Sequence, residues 1–108
     1  MAYKVLGRKA SAATTMEELY AVPASSSTVV STIVVCNITA AAKTFRIAVK
    51  PATATTLDNS HYIAYDTSIG ANDSIALTMG ITLATLNAIH VYASAASALT
   101  FTAFGSES

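Results

Sequence analysis

Two histidines, His61 and His90, are the side chains best suited to general-base or metal-ligand chemistry, since imidazole titrates near neutral pH and offers a lone pair. Each lies in a strand-like run beside tyrosines: Tyr62 and Tyr65 in one case, Tyr92 in the other. Neither has a cysteine or carboxylate at a recognised zinc spacing, and HExxH and CxxC are absent. A histidine set among aromatics in a strand reads as a half-buried packing residue. Asp58, Asp66 and Asp73, with Asn59 and Asn72, carry the oxygens that calcium takes, but calcium needs six or more. Asp58-Asn59 and Asn72-Asp73 supply a pair each, at positions where turns favour such residues anyway. No serine stands in GxSxG, and four scattered glycines make no phosphate cradle. Lys43, Arg46 and Lys50, read as one face of a strand, offer a contact for an acidic partner; a solvated face is the simpler reading. The single cysteine, Cys36, excludes an intrachain disulfide and is expected to behave as a small buried hydrophobe. No residue is assigned to catalysis, to a cofactor or to a metal.

The elements that would position these residues are strands. Ser27 to Ile38 (STVVSTIVVCNI) is the longest β-favouring run, with branched side chains on both alternating faces, as in a strand near the middle of a sheet. Lys43 to Lys50 alternates most cleanly, with Phe45, Ile47 and Val49 on one face and Ala48 on the other, the mark of an antiparallel strand. Further strands are expected at Tyr3–Gly7, Leu19–Val22, His61–Asp66 and Ser74–Met79. Asn87–Ser94 and Ala98–Phe104 read as a hairpin about Ala95, Ala96 and Ser97. Thr15 and Glu18 have the spacing of a helix capping box, yet Pro23 follows too soon for a convincing helix. Arg8–Thr15 and Gly80–Thr85 read as loops. About eight short strands without a helical period predict an all-β chain: one antiparallel β-sandwich over residues 1–108, jelly-roll-like. Val29, Ile33, Val35, Phe45, Ile47, Val49, Ile75, Leu77, Val91 and Phe101 are its expected core.

Composition narrows the function classes. The chain has 108 residues, the size of one domain, and six basic residues balance six acidic ones, so it lacks the charge that attracts nucleic acid or anionic lipid. Charged residues make up 11%, against roughly 25% in ordinary domains, with Ala, Ser and Thr in their place. A surface so poor in charge is weakly protected against association, which suggests an assembly subunit. No signal peptide or membrane-length apolar run is evident.

Ordered phrases along the chain carry a further signal. MAYKVLG, LYAVP, STVVSTIVVCN, TFRIAVKP, HYIAYDTSIGANDSIALTMGITL, VYAS and LTFTAFGSE together resemble small virion structural proteins of tailed bacteriophages, including phages of marine and freshwater bacteria. The likeness runs over nearly the whole chain. It implies a β-rich protein built in many copies into the particle, assembled in the host cytoplasm, on either the head or the tail.

Three functions follow as expectations. The leading one is a head decoration or cement protein, a non-enzymatic homo-oligomer (by analogy a trimer) that binds the major capsid protein without cofactor, nucleic acid or membrane. Another is a tail, baseplate or fibre-attachment component. The third is a carbohydrate-binding module, in which Tyr62, Tyr65 and Tyr92 stack on sugars; the absence of tryptophan weakens it.

Overall fold

The computed structural model describes residues 2–10, 15–52, 56–95 and 98–108. Its regular structure is eight strands: β1 (Ala2–Ala10), β2 (Glu17–Ala21), β3 (Thr28–Asn37), β4 (Lys43–Lys50), β5 (Tyr62–Ile69), β6 (Ser74–Leu83), β7 (Ala88–Ala93) and β8 (Leu99–Glu107). A short 3-10 turn, Asn59–His61, precedes β5. The strands pair as one long folded ribbon: β4 with β5, β3 with β6, β2 with β7 and β1 with β8, every pair antiparallel. The ribbon closes on itself through β3–β8 and β4–β7. The result is two four-stranded sheets, ordered β1-β8-β3-β6 (sheet A) and β2-β7-β4-β5 (sheet B). This is the jelly-roll arrangement.

The core lies between the sheets. Phe45 of β4 meets Phe101 of β8 edge to face, with ring centroids 6.3 Å apart, and both are fully buried. Ile33, Val35, Ile47 and Val91 surround them without exposed surface, while Val49, Ile75 and Leu77 pack partly buried against this cluster. Val29 departs from the expected core and is 40% exposed. The cause is a register shift between Val30 and Thr32, which moves the inward phase so that Thr28 and Val30 are buried and Val29 faces out. On the neighbouring strand the same irregularity falls at Gly80, whose φ of +63° is one that side-chain-bearing residues rarely adopt. Thus Gly80–Leu83, expected as a loop, continues β6 beyond a bulge.

Other expectations are corrected. β7 and β8 form no hairpin: β7 belongs to sheet B and β8 to sheet A, so their connection crosses the sandwich. Strand length alone could not distinguish a tight turn within a sheet from a crossing between sheets. Arg8, Lys9 and Ala10 extend β1, since pairing with Thr102, Phe101 and Thr100 satisfies backbone groups that a loop would leave to water. Residues 17–21 form a strand, and the helical alternative is not adopted. Ala96 and Ser97, the middle of the Arg8–Thr15 segment and the Met79 side chain lie outside what the structure describes. Gly105 lets β8 run close beside β3, because a Cβ there would lie 2.1 Å from the Val29 carbonyl oxygen.

Candidate functional site

The outer face of sheet B gathers chemically distinctive side chains. Opposite Arg46, β5 carries an extra residue: Phe45 pairs with Thr67 and Ile47 with Ala64, which leaves Tyr65 and Asp66 facing a single position of β4. Asp66 takes a left-handed φ of 49°, a conformation that Asp tolerates better than most side chains. This bulge turns Asp66 onto the guanidinium. Arg46 Nε donates to Oδ1 at 2.6 Å and Nη2 to Oδ2 at 3.2 Å, a bidentate pair. Those hydrogen bonds hold Asp66 below the usual carboxylate range and raise Arg46 above its ordinary value. The guanidinium is also layered between two rings, 4.1 Å from the Tyr65 centroid and 4.4 Å from that of Tyr92. Tyr62 meets Tyr65 edge to face at 4.9 Å. Beside this pair opens a pocket of about 430 Å³ lined by Asn59, Tyr62 and Tyr65.

The expected basic face is not assembled. Lys43 is paired with the buried Ile69 and falls in the phase of Phe45, whereas Arg46 is already matched by Asp66. Ala48, expected to face outward, has no exposed surface; it lies in register between His90 and Tyr62, whose larger side chains flank it.

The structure keeps the histidines apart in role. His61 closes the 3-10 turn: its Nδ1 accepts from the Asp58 amide at 3.1 Å, and its Nε2 stands 3.8 Å from Asp58 Oδ2. His90 lies in register with Glu18 of β2 and Ala48 of β4. Burial lowers its pKa, with Glu18 acting weakly in the other direction, and its Nε2 is buried without a hydrogen-bond partner. The three aspartates do not converge. Asp58 accepts from the Ser60 amide at 2.8 Å, Asp66 holds Arg46, and Asp73 accepts from the Ser74 amide at 2.8 Å. Among the described residues no three His, Cys, Asp or Glu side chains gather as a metal site.

The outer face of sheet A has a different character. Register rows across β1, β8, β3 and β6 place Val5, Phe104, Thr32 and Thr78 together, then Arg8, Thr102, Val34 and Ala76, then Ala10, Thr100, Cys36 and Ser74. Val5, Val29 and Phe104 are each more than a third exposed. Among the described residues of these rows, Arg8 carries the one charge. Cys36 is therefore half-buried on this outer face and not in the core, because its neighbours Val35 and Asn37 take the inward phase.

Two polar residues missed by sequence reasoning organise the fold around these faces. Asn37 is 1% exposed; its Nδ2 donates to the carbonyls of Ala41 (2.8 Å) and Gly70 (3.0 Å), and its Oδ1 accepts from the Thr39 amide (2.9 Å). Tyr20 donates its hydroxyl hydrogen to Glu107, which also takes Lys4 Nζ at 3.0 Å. Position 37 at the end of an apolar run was its only signal.

No protein-family model matches this chain, and neither a curated protein nor a solved structure does.

Proposed function

We propose that this chain is a structural subunit of a tailed-bacteriophage virion, a decoration or cement protein that stabilises the head by protein–protein contacts. The observation that carries the reading is the outer face of sheet A. In the described residues of its register rows, four strands present a pleated surface mostly of Thr, Ala, Val and Phe with Arg8 as the one charge, so a neighbouring subunit can approach while desolvating little charge. Small side chains also let backbones come close, and apolar Val5, Val29 and Phe104 supply area to bury. The resemblance that the chain's ordered phrases bear to phage virion proteins, a reading of the sequence alone, points the same way, and adhesion of this kind needs no catalytic group. A jelly-roll by itself does not decide function, since the fold serves capsid and lectin domains alike.

Electron cryo-microscopy of a particle containing this chain tests the proposal. Hundreds of copies on the head, with sheet A turned towards a neighbouring subunit, are expected. A few to dozens of copies on the tail would replace the decoration role with a tail or baseplate one. Absence from the particle would overturn the virion assignment.

A further inference from the structure

We propose that the corner between Tyr62 and Tyr65, with Asn59 at its rim, binds a neutral hexose-based glycan. The two rings stand at 87° to each other, 4.9 Å between centroids, and open onto the pocket of about 430 Å³. That volume falls within the range of small-ligand sites and leaves room for one or two pyranose rings. A pyranose presents a flat C–H face and a rim of hydroxyls. Tyr65, 56% exposed, offers one ring face to such a surface while its other face is taken by Arg46. Tyr62 walls the side. The Asn59 amide both donates and accepts, which suits adjacent hydroxyls.

The platform is held in place before any ligand arrives. Asp66, in its left-handed bulge, fixes Arg46, and Arg46 bridges the rings of Tyr65 and Tyr92. A residue held in a sparsely populated backbone conformation beside an exposed aromatic pair is a pattern of binding sites, and rigidity lowers the ordering cost of binding. None of the described lining residues is charged, and the nearby guanidinium is neutralised by Asp66, which favours a neutral sugar over an acidic one. A polyproline segment fits less well, because it needs successive aromatic slots along a groove and this geometry gives a single corner.

The test is titration of the isotope-labelled chain with neutral oligosaccharides of glucose, mannose, galactose and N-acetylglucosamine, up to about ten times a millimolar dissociation constant. Saturable shifts at Asn59, Tyr62 and Tyr65 are expected with at least one sugar. Tyr65→Ala should weaken that binding about tenfold or more, and Tyr65→Phe should preserve it; melting curves of both variants establish that the fold is retained. No saturable shift with any sugar overturns the proposal. So does binding that survives Tyr65→Ala, or saturation by a proline-rich peptide but by none of the sugars.

Discussion

Asn37 shows how much a single side chain can hold. It is buried at the end of β3 and satisfies backbone groups of the following turn and of the β5–β6 connection at once. Asn37→Ala strands those groups in the interior, so the variant should lose about 2–3 kcal/mol in a denaturant melt, well above the effect of an exposed Asn→Ala change. Titratable residues set the pH dependence. Tyr20 and Lys4 hydrogen bonds hold Glu107 below the usual carboxylate range, the Ser60 hydroxyl and amide do the same for Asp58, and Arg46 for Asp66. Folded values below the unfolded ones mean that this stability is fully present above about pH 4 and is lost as pH falls through the depressed values. His90, lowered by burial, acts in the same direction from about pH 6.5 downward, because the unfolded chain takes up its proton first. The melting temperature should therefore fall on acidification, and Glu107→Gln should lower it at neutral pH while making the acid fall shallower. An unchanged acid profile would show that Glu107 is not held as described.

At the scale of elements, the sandwich depends on its central rings and on one close strand approach. Phe45→Ala should cost about 3–5 kcal/mol, since the ring fills the centre between the sheets and Phe101 cannot move to replace it. Gly105→Ala should destabilise despite its small size: the added methyl meets the Val29 carbonyl, so β3 and β8 must part. Thermal melting of both variants checks this, and a wild-type melt for Gly105→Ala would contradict the close approach. The strands themselves were legible, because period-2 patterns such as Phe45, Ile47 and Val49 survive without partners. Partner choice was not. Whether the residues between β7 and β8 form a hairpin or cross the sandwich depends on which sheet needs a strand, and this has no local signature. Bulges hid the rest: the slip near Ser31 sent Val29 outward, and the extra residue in β5 joined Asp66 to Arg46, 20 positions away. The tyrosines were visible as candidates, but only that bulge makes them a platform.

The whole molecule presents two unlike faces. Sheet B carries the ring and guanidinium cluster beside an open pocket, whereas on the outer face of sheet A the described residues of the register rows hold one charge, Arg8. A β-sandwich with so little charge on one outer face is suited to burying that face against a copy of itself or another protein subunit. Thr32 lies near the middle of this face, in register with Phe104 and Thr78 and half-exposed. Placing a carboxylate there leaves the core intact and forces a buried charge on any partner. Sedimentation equilibrium of the wild type against Thr32→Glu, at tens of micromolar, tests whether the chain associates through the outer face of sheet A. The expected result is a wild-type species of several chains, three by analogy with capsid decoration proteins, each chain 11.1 kDa, and a folded monomer for the variant. A wild-type monomer, or an oligomer that Thr32→Glu leaves unchanged, would contradict association through the outer face of sheet A.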